Sequence, residues 1–169
     1  PVIEGIQEKG STSNLKNLGA AAASTGAVAM FHIPGLTPEA PTIEKALGGR
    51  PPFDTIEIDD RVLKKTKEEM CSAQTVGQVD IVAVGCPHYT FEELVSIAKL
   101  LEGKKVNQGV QLWVCTHHGA IELAKQSRIS EIIRESGGKL FSGCIYCLHS
   151  VKPYADMRLM SDSGKICYY

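Results

Sequence analysis

The sequence lacks an excess of charge of either sign. Its 18 Lys and Arg stand against 19 Asp and Glu, for a formal net charge of −1. A broad basic surface for nucleic acid or an anionic membrane is therefore not expected. No uninterrupted apolar run reaches the roughly 18 residues that a membrane-spanning helix needs. The opening stretch "PVIEGIQEKGS" has no basic patch followed by an apolar segment, so it does not read as a signal peptide. These absences make a cytoplasmic protein the expectation. Internal repeats and low-complexity linkers are missing too. What is present is ordinary for a globular protein: 169 residues, 43% hydrophobic and 22% charged. That fits a single α/β domain over residues 1–169 with one core. The chain starts at Pro1 and stops at "KICYY", and it reads as a piece excised from a longer polypeptide.

Six cysteines are many for such a domain. A disulfide framework fits their parity but not a reducing compartment. Buried inert thiols, metal ligands and reactive thiols remain, and position must separate them. The pattern predicts a helix over "SNLKNLGAAAASTG", ended by Gly26, and a strand over Ala27–Ile33. A short helix at "TIEKALGG", a strand at Thr55–Ile58 and a helix over "DDRVLKKTKEEMCSA" follow. The second half alternates regularly. "DIVAVG" reads as a strand covered on both faces, and "TFEELVSIAKLLEG" as a helix with a Thr90–Glu93 capping box. "VQLWVCT" is the next strand, then come two helical stretches, a strand at "KLFSG" and a last strand at "MRLMS". This order predicts an open three-layer α/β fold, its sheet mostly parallel, with helices on both faces.

In such folds ligands bind beyond the carboxyl ends of the strands. The stretches Pro34–Pro38, Cys86–His88, Cys115–His118, Gly143–Cys147 and Ser161–Lys165 fall on that edge. Cys86 opens the turn before the Thr90 helix, where a helix N-terminus favours a thiolate; a small apolar residue closing a strand is the plainer alternative. Cys144 repeats the arrangement after another strand. With Cys147 it forms a Cys-x-x-Cys pair. A redox role for that pair would want a helix opening at the first cysteine, and a zinc site would need further ligands, for which His149, His117 and His118 are available. His117 is also a candidate for proton transfer. "SDSGK" offers a hydroxyl, backbone amides and Lys165 to an anionic group, without full P-loop spacing. His32 is expected at the same edge. Cys71, read as lying in a helix, and Cys167 are expected to be structural.

Three stretches together, "LGAAAASTGAVAMFHIPGLTPEAPT", "VGCPHYTFEELVSIAKLLEGKKV", and "GC" followed 19 residues later by "SGKICYY", resemble the catalytic large-subunit region of the aconitase X family. "HIPGLTPEAPT" and "GCPH" are the most specific of them. The resemblance implies an iron–sulfur hydro-lyase, a dehydratase or isomerase acting on a small anionic hydroxy acid such as a hydroxyproline or mevalonate 5-phosphate. It further implies that Cys86 and Cys144 are two thiolate ligands of an iron–sulfur cluster, 4Fe–4S in preference to 2Fe–2S. The third ligand would come from an upstream part of the large subunit. The base would be a serine of a small swivelling subunit or domain. Ser163 and Lys165 would bind the anionic group of the substrate, with His32 beside it, and His88 would be a catalytic or substrate contact. The isolated chain would then be inactive. This chain departs from the family pattern at Ser142-Gly143, where Asp-Thr is usual, and at Asp162, where Asn is usual; Cys147 is an alternative ligand. The rival from another class is a non-catalytic zinc-binding or structural α/β domain. A third reading is a redox domain built on Cys144 and Cys147.

Overall fold

The computed structural model describes residues 1–6, 10, 12–72 and 79–169. The chain divides into two compact units, Pro1–Ser72 and Ala73–Tyr169, where the sequence pattern had been read as one domain. The first unit carries helices α1 (Thr12–Gly26), α2 (Ile43–Leu47) and α3 (Asp60–Glu69). Thr42 caps α2 by accepting the Lys45 N–H at 3.2 Å, and Gly48, at φ +62°, ends it. Asp59 caps α3 by accepting the Val62 N–H at 2.9 Å.

Neither strand expected in this unit forms. The run Ala27–Ile33 makes one isolated bridge, Val2 with His32, and Ala27 sits at φ +50°. Residues Thr55–Ile58 are irregular and Ile56 is 82% exposed. An apolar run becomes a strand only where a partner supplies the ladder; among the described residues the first finds a single bridge and the second none. Cys71 lies beyond α3 rather than inside it, and Ala73, the end of that expected helix, is outside the described residues. The "HIPGLTPEAP" stretch is a closed turn. Leu36 and Thr37 donate to the Ile33 carbonyl at 3.0 and 2.9 Å, and Gly35 donates to that of Ala40 at 2.9 Å. Ile33, Thr37 and Ala40 are buried as a result.

The second unit has the expected α/β fold. Its strands are β1 (Ile81–Tyr89), β2 (Gln111–Thr116), β3 (Gly138–Ser142) and β4 (Leu159–Ser161), all parallel, in the order β3-β2-β1-β4. Alternation divides the side chains between two faces. Val84, Leu112 and Val114 pack against α4 (Phe91–Leu101), α5 (His118–Gln126) and α6 (Ile129–Glu135), burying Leu94 and Ile133 completely. Each such burial contributes about 1.5–3 kcal/mol. Ile81, Ala83, Trp113 and Cys115 face the other way, toward α7 (Ile145–His149), a short 3₁₀ turn at Tyr154–Asp156, and α8 (Gly164–Tyr168). Trp113 meets Phe141 and Tyr154 edge-on, at centroid distances of 6.2 and 4.9 Å. The order reverses at β1: α4 covers one face, whereas α8, after β4, covers the opposite one. The carboxyl ends of β1 and β4 are therefore the topological switch point, the place where open α/β sheets bind ligands.

The register of β1 against β2 breaks at the site. Val84 pairs with Val114, yet the next pair is Tyr89 with Thr116, so Gly85-Cys86-Pro87-His88 loops out of the ladder. Gly85 makes this possible. It sits at φ +94°, and a Cβ there would lie 2.0 Å from the Cys115 carbonyl oxygen. Gly85→Ala is therefore expected to destabilise the protein by at least about 2–3 kcal/mol. Gly103→Ala, at φ +70° in open space, should cost about 1 kcal/mol. Denaturant melts of the two variants check this, and equal losses would refute the close-approach argument.

Candidate functional site

The looped-out stretch places Cys86 on the thinner face of the sheet, against the cluster that includes Ala83, Cys115, Ile145 and Ile166. Two further segments reach the same place. Cys144 is the residue before α7, and Ser163 the residue before α8. The Ser163 side chain, 6% exposed, accepts the Ile166 N–H at 3.2 Å and donates its hydroxyl toward the Cys86 sulfur. A hydroxyl has one donor and two acceptor sites, so both contacts can be made at once. Cys86 and Cys144 are near enough to feel each other's charge, and both feel the Lys165 ammonium. Cys115 lies beneath them. Its thiol donates to the Gly143 carbonyl at 2.7 Å, and His88 Nε2 meets the same oxygen at 2.8 Å. Because a carbonyl only accepts, Nε2 of His88 carries the hydrogen. That nitrogen holds the Cys144 loop and is not a base.

The thiols differ in acidity. Burial pushes Cys86 up, with Cys144 and Asp162 adding to the rise and Ser163 and Lys165 opposing it. Burial likewise pushes Cys115 up, to about 11. Burial also opposes ionisation of Cys144, but the Cys147 and Tyr146 N–H groups, the Cys147 thiol and Lys165 outweigh it, so Cys144 lies below the ordinary thiol range. The hydrogen bond to Cys144, followed by its charge, raises Cys147. Tyr89 donates to Asp162 at 2.5 Å. Burial, together with that bond, keeps the phenol protonated far above its usual range. Thr116 in turn donates to the Tyr89 carbonyl at 2.5 Å and fixes the end of the loop.

The structure thus gathers Cys86, Cys144, Ser163, Lys165 and His88 at one edge of the sheet. His117 has a different position in the design: its Nδ1 accepts the Ala120 N–H at 3.3 Å and caps α5. His32 belongs to the first unit, where its N–H donates to the Pro1 carbonyl at 2.9 Å and its Nδ1 is buried without a hydrogen bond. The zinc set read from the sequence is not assembled. His149 Nε2 is bonded to the Met157 carbonyl at 2.9 Å, and no group of three or more His, Cys, Asp or Glu among the described residues is arranged to hold a metal ion. Sequence reasoning missed Tyr89 and the double use of the Gly143 carbonyl. Tyr89 carried no signal beyond following "GCPH", because its partner Asp162 is 73 residues away. No helix among the described residues is long and apolar enough to cross a membrane.

A parallel α/β unit with thiols gathered at its carboxyl edge is what the fold and site define. The chain belongs to the aconitase X family: the sequence profile of the aconitase X third domain matches residues 79–169, and that of the second domain matches residues 1–68. The boundary between the two matches agrees with the division into two units. Over its whole length the chain is 30% identical to cis-3-hydroxy-L-proline dehydratase of Hypocrea jecorina and covers 29% of that enzyme. It is 30% identical to the phosphomevalonate dehydratase large subunit of Methanocaldococcus jannaschii over 92% of this chain and 37% of that subunit. The crystal structure of Thermococcus kodakaraensis aconitase X, holo-form, superposes with a TM-score of 0.83 at 28% identity, covering all of this chain and 42% of that one. The chain thus spans about three-tenths to two-fifths of the length of these relatives.

The acidity order has a direct chemical readout. Under iodoacetamide, Cys144 should be alkylated with a midpoint below the ordinary 9.0, and Cys115 with one near 11. At neutral pH Cys144 should react at least about tenfold faster than Cys115, since one unit of acidity is tenfold in thiolate. Peptide mapping against pH checks this, and similar rates at both positions would overturn the charge assignment.

Proposed function

We propose that this chain supplies part of the active site of an aconitase-type hydro-lyase, one that expels water from a small anionic hydroxy acid. The observation that carries this is the convergence of Cys86 and Cys144, from separate strand ends, within reach of each other and of one cation, Lys165. Two thiols of this kind suit iron–sulfur ligation, which uses thiolates. Cys86 and Cys144 would be two of the ligands, with the remaining coordination supplied from outside the residues described. An iron–sulfur cluster held there supplies a Lewis acid for the departing hydroxyl.

The chain's own residues do the rest of what is assigned here. Lys165 binds the anionic group of the substrate, whether the carboxylate of a hydroxyproline or the acidic groups of a mevalonate 5-phosphate, the two classes named by the relatives' activities. The Ser163 hydroxyl, expected from the sequence to share that task, has its one hydrogen directed at Cys86 instead. It so stabilises the Cys86 thiolate, which burial disfavours. Lys165 lowers the cost of gathering two anionic sulfurs at one place. His88 is a positioning residue, holding the carbonyl that precedes Cys144. The base that removes the carbon-bound proton comes from a small-subunit-like partner or domain, in keeping with relatives that are large subunits.

The test uses the chain joined to the regions its relatives carry, reconstituted anaerobically. Cys86→Ser and Cys144→Ser should each lower bound iron and labile sulfide. Each should also reduce dehydration beyond the roughly 10–100-fold that loss of an outer partner costs. Lys165→Met should raise KM more than it lowers kcat, as loss of uniform binding does. Full iron and sulfide in both cysteine variants would sink the ligand assignment.

A further inference from the structure

We propose that Cys144 and Cys147 are a redox-active dithiol that closes reversibly to a disulfide by exchange with a low-molecular-weight disulfide such as oxidised glutathione. Nothing in the hydro-lyase chemistry requires Cys147. The structure nevertheless places it where a partner thiol belongs. Cys144 is the N-cap of α7, at φ −105° and ψ 118°, and Cys147 is the third residue of that helix. An N-cap side chain faces the third residue of its helix across the first turn. That matches the Cα separation of roughly 4.4–6.8 Å that a disulfide spans. The two thiols lie close enough to act on each other's charge. Both residues are exposed, so a small disulfide can reach them. The other thiols of this unit are differently placed. Cys115 is buried on the Gly143 carbonyl, Cys86 is half-buried under Ser163, and Cys167 points to the Ser161 carbonyl at 3.9 Å.

The exchange balances in two steps. One sulfur of the pair attacks the reagent disulfide, forming a mixed disulfide and releasing one reagent thiol. The second sulfur then attacks the mixed bond, closing Cys144–Cys147 and releasing the other reagent thiol. Two electrons and two protons leave the protein, and one reagent S–S bond is reduced. The consequence for iron rests on the function proposed above: a Cys144 held in a disulfide offers no thiolate to a cluster, so oxidation and cluster loading exclude each other.

The experiment uses the complete protein, prepared without iron and equilibrated in glutathione buffers of rising oxidised-to-reduced ratio. Free thiols are then trapped with a maleimide and counted by intact mass. Two fewer trappable thiols per chain, a peptide map joining Cys144 to Cys147, and full recovery in reduced glutathione are expected. Cys147→Ser should instead leave Cys144 carrying one glutathione, while Cys71→Ser should leave the closure unchanged. Should both thiols stay trappable throughout the series, or should the new bond join other residues, the dithiol is refuted. A second arm measures iron and labile sulfide uptake by the closed form after the glutathione is removed. Uptake should be at least tenfold lower than in the reduced form and restored by a dithiol reductant. Closure with undiminished uptake would leave the dithiol standing and remove Cys144 from the ligand set.

Discussion

The approach of Gly85 to the backbone of Cys115 is the constraint on which the site depends. Two strands in parallel register keep their backbones about 4.8 Å apart and hold every side chain to one face or the other. Gly85 breaks that regularity at φ +94°, with no room for a Cβ against the Cys115 carbonyl. The chain can then leave the ladder at Val84 and rejoin it at Tyr89. Without the loop, Cys86 would continue the alternation of β1 and stay within the sheet. With it, the thiol stands clear of the β2 ladder, over Cys115 and beside the residues that open α7 and α8. A backbone contact therefore decides where the sulfur goes, and the sulfur's surroundings decide its chemistry.

The edges of the loop are held as tightly as its start. Thr116 and Tyr89 tie its far end to β2, and His88 and Cys115 both hold the Gly143 carbonyl. That one oxygen links three strand ends, those of β1, β2 and β3. β4 is pinned to β1 from the opposite end, where the Asp80 carboxylate accepts the Arg158 backbone N–H at 2.7 Å and its guanidinium at 3.1 Å. An exposed pair of this sort adds little stability on its own. Its effect is on register: it sets Ile81 opposite Leu159, and so sets how far Ser163 and Lys165 project past β1. Positioning and stability are thus carried by different contacts, the apolar layers supplying the second.

The sequence disclosed the second unit well, for identifiable reasons. "DIVAVG" and "VQLWVCT" are buried on both faces and read as unbroken apolar runs, and the Thr90–Glu93 capping box is a local signal that formed as read. That Cys86, Cys144, Ser163 and Lys165 lie near one another could be read from the sequence because the carboxyl edge of a parallel sheet collects whatever follows each strand. The first unit was misread at Ala27–Ile33 and Thr55–Ile58, since local apolarity cannot say whether a partner strand exists. His117 was misplaced by adjacency. Two histidines after a strand look like chemistry, but the first is a helix cap, using one nitrogen for an amide. Tyr89 was invisible because its meaning lies in a contact with Asp162, and no local pattern encodes that pairing.

Asp162 is the residue whose presence most needs a physical account. A carboxylate beside Cys86 raises the thiol, which works against the Lys165 and Ser163 contacts that favour its ionised form. Tyr89 tempers the conflict by donating to the carboxylate, spreading its charge into a hydrogen bond. The phenol stays protonated as a consequence, since losing its hydrogen would set two anions side by side. Asp162 then acts as an anchored acceptor rather than a loose charge, and the cation at Lys165 is left as the dominant field at the two sulfurs. A tyrosine from the looped-out end of β1 offsets the charge of this carboxylate, so Asp162, which follows β4, and the aromatic residue that closes the "GCPH" loop are two halves of one arrangement.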